Sequence, residues 1–448
     1  MDSRPSFPFT VTSRDVWAIA LPASLAFITE PLVGFVDITV IGRLGDANLQ
    51  GGLVLGALAF DMIFSLMFFL RLGTAGLTAQ SIGARDADDG LVHLVRAGLL
   101  GLGLGVLLIA LTWPLQWSLA AVLGATPVVA PAFDAYLATR IWSAPFVLVN
   151  YALLGWFYGR ASVKTGMALQ MLVNGINVLV SVALVFGLHW GVVGVALGAV
   201  AGHAAASALG IALAVRHFGG LAPMRALVDW GRIRDVVAVR KLFALSRDLT
   251  IRSAALMSAF AWFTAQTSRV GEVSLASNAV LMQFLMISAF FLDGQGQAAE
   301  QLCGKAVGAN YRPAFERALA LTLGWGVVVS ATMFSVVWFG GDALIAVMTA
   351  SPEVQAGAHE FLIFAALAAF TGMPAFVMDG VMSGATLNTI IRNGMVASFA
   401  VYFAAALALQ HAFGVAGLWI AINLFFVVRA TIFLIATRWK LRALFSPA

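Results

Sequence analysis

Long apolar stretches, separated by short polar ones, run the whole length of the chain. About 20 apolar residues at 1.5 Å rise per residue cross the hydrocarbon layer of a bilayer. Segments of that length fall at about 15–41, 53–80, 92–117, 130–157, 165–187, 191–215, 240–266, 274–302, 316–339, 355–382, 390–411 and 415–437. The pattern predicts an all-α integral membrane protein with about twelve transmembrane helices. The first segment is too long for a cleaved signal peptide and contains Pro22 and acids, so it reads as a true first span.

Shifting the sequence by 225 residues superimposes its punctuation. "SIGAR" (81–85) falls on "AVGAN" (306–310), Pro127 on Pro352, and "LGWFYGR" (154–160) on "DGVMSGA" (379–385). A two-residue slip then pairs "GVVG" (191–194) with "GVAG" (414–417). Single matches are weak in a Gly/Ala-rich chain, but these keep the order of span and loop across both halves. The expected architecture is two pseudo-symmetric six-helix lobes, 1–215 and 240–448, joined by a cytoplasmic linker at 216–239. Six spans per half give both halves one orientation, which makes them parallel repeats.

Composition sharpens this picture. The chain is 61% hydrophobic and 10% charged, with a mean hydropathy of +0.94, outside the range of ordinary soluble domains. The net charge of +5 would suggest nucleic acid in a soluble protein. Here the basic residues follow topology: with a cytoplasmic N-terminus, only Arg43 and Arg269 fall in outer loops. The positive-inside rule then puts both termini in the cytoplasm, and no nucleic-acid partner is needed. One cysteine, Cys303, and six histidines offer no metal-ligand cluster, and no HExxH, P-loop or GxSxG pattern occurs. "GLLGLGLGVLL" (98–108) lies mid-span with no strand before it, so its glycines read as close helix packing rather than a dinucleotide site.

Candidate chemistry concentrates in "ITEPLVGFVDITVIGRLGD" (28–46). Glu30 and Asp37 are two helical turns apart and share one face. Acids at membrane depth are expensive and mark function by default. Pro31, between them, removes a backbone donor and loosens the helix. Asp37 reads as a cavity carboxylate within reach of Asn174 and Asn177, or as a solvated helix-end acid near Arg43. Glu30 reads as a second proton site, a cavity acid that attracts cations, or the partner of an intramembrane Arg. In the second half Arg252, Asp293 and Asp379 form a candidate polar network. Asp61, Arg71, Arg140, Glu300 and Arg429 are expected to pair or to snorkel towards an interface. Met171 and Phe157 are candidates to line an apolar cavity.

The motifs "ALPASLAFITEPLVGFVDITVIGRLG" in span 1, "RLGTAGLTAQSIGARD" after span 2, "NAVLMQFLMISAFFLDGQGQAAEQLCGKAVGA" in span 8 and "MDGVMSGAT" in span 10 resemble the DinF branch of the MATE (multidrug and toxic compound extrusion) transporters, over nearly the whole chain. The resemblance implies two six-helix lobes around a cleft, alternating access, and export of organic cationic or amphipathic compounds in exchange for H⁺ or Na⁺. It places the family's proton-coupling Asp at Asp37 and its helix-bending proline at Pro22. In span 5 the family often has Asn followed four residues later by Asp; here "NGINVLVSVAL" gives Asn177 and then Ser181. Losing that anionic ligand favours H⁺ over Na⁺, with no other cofactor. The expected protein is a bacterial inner-membrane secondary transporter, not an enzyme, that works as a monomer in the lipid bilayer on small organic substrates. A Na⁺-coupled exporter and a lipid-linked oligosaccharide flippase are the alternatives. The flippase would favour a strongly cationic cavity, whereas the first half sets Arg71 and Arg140 against Glu30, Asp37 and Asp61.

Overall fold

The computed structural model describes residues 5–233 and 235–445; the side chains of residues 30, 47, 87, 237–239, 241–243 and 442 are outside this description. All regular structure among the described residues is helical. In chain order the α-helices are α1 (Ser13–Gly42), α2 (Ala47–Leu66), α3 (Phe69–Gly83), α4 (Ala87–Ala110), α5 (Thr112–Leu123), α6 (Ala130–Arg140), α7 (Ala144–Gly159), α8 (Val163–Val182), α9 (Gly191–His217), α10 (Leu221–Leu227), α11 (Trp230–Ile233), α12 (Val236–Val270), α13 (Glu272–Gly308), α14 (Arg312–Met348), α15 (Pro352–Gly384) and α16 (Asn388–Leu444).

Among the described residues, 10 helical stretches are long and apolar enough to cross a membrane. Two of them join pairs of helices: Asn48–Gly83 runs through α2 and α3, and Ala130–Gly159 through α6 and α7. The last is itself two helices, because Gly414 breaks α16 with φ 57° and ψ −132°. α12 has 35 residues, length enough to cross, but Arg240, Lys241, Arg247, Asp248 and Arg252 crowd its first half. Dividing α16 at Gly414 and adding α12 recovers the twelve crossings expected from the sequence.

Local chemistry explains several boundaries. Asp46 caps α2, its Oδ1 accepting from the backbone N–H of Asn48 at 2.8 Å and of Leu49 at 3.3 Å. Asp86 caps α4 by accepting from the N–H of Asp89 at 2.9 Å. The segment expected as a linker forms α10, α11 and the start of α12. Arg232 there pairs with Asp89 at 2.7 Å, while Arg96 of α4 donates to the carbonyl oxygen of Arg232.

Contacts divide the chain into two units. One holds the residues up to Ser24, Ala79–Arg85 and everything from Arg247 onward; the other holds Leu25–Thr78 and Asp86–Ser246. α1 stays helical through Pro22 and Pro31 and passes from one unit to the other between Ser24 and Leu25. In the first unit, Phe263, Tyr402, Trp419, Phe425 and Phe426 form a fully buried aromatic core. Its polar atoms are satisfied: Trp419 Nε1 donates to Asn278 Oδ1 at 2.7 Å, and Tyr402 Oη to the Ala259 carbonyl at 3.1 Å. In the second unit, Val40 and Ile41 of α1 pack with Leu53 of α2, Tyr136 of α6 and Val195 of α9. That packing brings the C-terminal turns of α1 together with three neighbouring helices.

Candidate functional site

Asp37 lies five residues before the end of α1, in the helix part that belongs to the second unit. It is 7% exposed, and its Oδ1 is covered without a hydrogen-bond partner among the described residues. A solvated helix-end acid would not be so covered. Asn174 and Asn177 do not reach it. Asn174 Nδ2 donates to Thr29 Oγ1 at 2.8 Å, two turns earlier on α1. Asn177 Oδ1 accepts from Ser181 Oγ at 2.9 Å. Ser181 is fully buried on the seam between α8 and α9, where a Cβ on Gly198 would overlap its hydroxyl. Asn177 and Ser181 thus close a helix seam. Met171 on the same helix is 53% exposed, and Phe157 is buried. The side chain of Glu30 is outside the described residues.

The charge that acts on Asp37 comes from α6 instead. Arg140 is within Coulombic reach of both Asp37 and Asp61. It is the last residue of α6, before the tight turn Ile141–Ser143, and its guanidinium carbon lies 4.5 Å from the ring centre of Phe60, next to Asp61 on α2. Tyr136, one turn before Arg140 on the same face, is buried. A Cβ on Gly56 would overlap the Tyr136 ring, so the missing side chain lets α2 lie directly on α6. His203 of α9 also feels Arg140, and its backbone carbonyl accepts from Asn150 Nδ2 at 3.0 Å. Asp61 is exposed.

The sequence pattern assigns Asp61 and Arg140 to pairing or snorkelling and singles out neither Tyr136 nor His203. The legible signs were a mid-span acid at Asp61 and a Tyr and an Arg four residues apart in one span. Arg71 forms no ion pair among the described residues; its guanidinium sits over the rings of Phe68, Phe27 and Tyr158 at 4.2, 4.8 and 5.6 Å.

The first unit holds a separate network. Arg252 Nη2 donates to Asp379 Oδ2 at 2.9 Å. Arg429 does not snorkel: it is 0% exposed, with Nη1 3.7 Å from the same carboxylate oxygen and the rings of Phe376, Phe425 and Phe426 at 5.2 to 5.5 Å. Asp293 and Glu300 act on Arg252 electrostatically, and Gln297 Nε2 donates to Glu300 Oε2 at 2.9 Å. Arg252, Arg429, Asp379 and Glu300 thus form a charged network within the unit, with Asp293 acting on it from an exposed position.

Helices of membrane-crossing length with buried charges among them define an integral membrane fold with polar chemistry inside its apolar helices. The MatE family model matches residues 22–183 and 249–406, and the chain belongs to this family, the MATE multidrug transporters. It is 33% identical to the DNA damage-inducible protein F of Escherichia coli (strain K12) over 432 residues, which cover 94% of this chain and 91% of that protein; this places it in the DinF branch. It is 22% identical to Protein DETOXIFICATION 44, chloroplastic, of Arabidopsis thaliana, over 100% of this chain and 85% of that one. Multidrug export protein MepA of Staphylococcus aureus (strain NCTC 8325 / PS 47) is 26% identical over 42% of each chain. The fold matches a solved outward-facing conformation of a multidrug resistance MATE family transporter of the MOP superfamily, with a TM-score of 0.83 at 18% identity over 98% of this chain and 99% of that one.

Proposed function

We propose that the protein exports organic cationic or amphipathic compounds across the bacterial inner membrane in exchange for H⁺, with Asp37 as the proton-coupling carboxylate. The observation that carries this reading is the covered, unbonded Oδ1 of Asp37 beside Arg140. A carboxylate in that setting gains much from binding a proton or a cation, and the two compete for it. The name of MepA, a multidrug export protein, and the family membership support export.

The cycle follows from this competition. Asp37 takes a proton from the outer side, and the cation it held leaves. α1 bends near Pro22, where the helix changes units, and the pocket closes. The proton leaves on the cytoplasmic side once access has switched. One proton entering for each singly charged cation that leaves moves no net charge, so the pH gradient drives that exchange; a potential of 100 mV, inside negative, adds about 2.3 kcal/mol only where a proton enters against an uncharged substrate. Proton coupling is favoured over Na⁺ because Ser181 is a neutral hydroxyl locked in a helix seam. The basic loops support cytoplasmic termini, and the monomer suffices because both units lie in one chain. In inverted vesicles energised to an acid interior, adding ethidium should discharge part of the pH gradient with the wild type and not with Asp37→Asn. An equal discharge by both would refute the role of Asp37.

A further inference from the structure

Three charged side chains from three helices interact in the second unit: Arg140 of α6 acts electrostatically on Asp37 of α1 and on Asp61 of α2. The packing that assembles them is independent of their charge. Val40 and Ile41, one turn beyond Asp37, pack on Tyr136, one turn before Arg140. Phe60, adjacent to Asp61, lies under the Arg140 guanidinium at 4.5 Å. Tyr136 and Arg140 on one face of α6 therefore lie among the residues that flank the two acids in sequence.

The cluster is not a closed ion pair. Among the described residues neither acid has a salt-bridge partner within 4.0 Å, in contrast to Asp379 with Arg252 at 2.9 Å. Asp37 is 93% covered and its Oδ1 makes no hydrogen bond among the described residues, so the cluster includes a buried acceptor with no described donor. Native structures rarely leave such a group unsatisfied unless it serves a ligand or chemistry. The other titratable groups facing the cluster are Tyr136 on α6 and His203 on α9.

We propose that Asp61 is a second acid of the translocation site, and that Arg140 is a tethered counter-cation shared by Asp61 and Asp37. Two carboxylates and one guanidinium carry one net negative charge. One proton or one singly charged organic cation neutralises it, and either excludes the other. Arg140 thereby sets the exchange at one charge for one charge and occupies the position that a second bound cation would need. Asp61, being exposed, is the acid a ligand meets first, and Asp37 the one that it reaches on entry. This inference rests on the proton-exchange reading of Asp37.

The test uses purified full-length protein in detergent and the probe tetraphenylphosphonium, with proton release followed by an indicator dye in weak buffer. Wild type should release about one proton per probe bound. Asp61→Asn cancels the net charge and should weaken the probe more than tenfold, with the protein still monodisperse because the amide has the same shape at an exposed position. Adding Arg140→Gln to Asp61→Asn restores one net negative charge and should bring affinity back to within a few-fold of wild type. A purely structural role for either residue predicts that the double variant is worse than the single. Arg140→Gln alone leaves two negative charges, and Na⁺ should now compete with the probe. Asp61→Ser repeats the charge change if the amide variant aggregates. Unchanged binding in Asp61→Asn and Asp61→Ser, or no recovery in the double variant, overturns the shared-cation proposal while leaving the role of Asp37 intact. Probe binding by wild type without proton release overturns the proton-exchange reading itself.

Discussion

Replacing Asp379 by Asn removes the carboxylate that holds two guanidinium groups. The Arg252 bond, at 2.9 Å, is charge-assisted and worth about 1.5–3 kcal/mol. Arg429, at 3.7 Å and with no exposed surface, adds a Coulombic attraction of about 4 kcal/mol at an effective dielectric constant of about 20. Part of that is offset by the desolvation of both ions, and the aromatic rings around Arg429 retain some cation–π attraction. Breaking a buried pair by removing one partner costs about 3–5 kcal/mol. The amide still accepts one bond from Arg252, which puts Asp379→Asn at the lower end, about 3 kcal/mol. For a cooperative unit of about 200 residues this lowers Tm by about 6–12 °C, measured by intrinsic tryptophan fluorescence in detergent. Asp342→Asn is the control: among the described residues Asp342 pairs with His359 alone, and both side chains are more than two-thirds exposed, so its Tm should stay within about 2 °C of wild type. If Asp379→Asn also stays within about 2 °C, Asp379 is not the counter-charge of a buried Arg429.

Asp37→Asn should leave Tm within a few degrees of wild type, since no hydrogen bond to Oδ1 is lost, yet abolish pH-driven efflux; wild-type transport by the purified variant would contradict its role. Glu30→Gln should reduce efflux less than Asp37→Asn does, measured side by side in vesicles, and a large fall in Tm would instead make Glu30 the partner of a buried cation. Ser181→Asp should lower stability by about 3–5 kcal/mol, because it buries an unpaired charge in a seam where Gly198 leaves no room; a stable variant with newly Na⁺-dependent efflux would show that the seam opens.

The apolar runs made the helical membrane fold legible, because a span must be long and apolar whatever its neighbours are. Span ends were less legible. α13 and α14 run to 37 residues each, well beyond the apolar core, since polar helical ends outside the hydrocarbon layer leave no hydropathy signature. Asp37 was legible as an isolated acid in an apolar run. Its surroundings were not, because the residues that face it come from α2, α6 and α9, at sequence separations that no periodicity encodes. Asn174 and Asn177 looked like partners of Asp37 on motif spacing, but helix register sends one to Thr29 and the other to Ser181. Arg252 and Asp379 were grouped by sign and by half of the chain; the role of Arg429 depends on three aromatic rings and a fully buried position that charge alone does not reveal.

The central claim is that a proton, and not Na⁺, drives export through Asp37. Purified protein in proteoliposomes, loaded with ethidium, can be given a pH gradient at equal Na⁺ or a Na⁺ gradient at equal pH. Ethidium efflux should follow the pH gradient, stop with Asp37→Asn and ignore the Na⁺ gradient. Robust efflux on the Na⁺ gradient alone, or pH-driven efflux that survives Asp37→Asn, would contradict it.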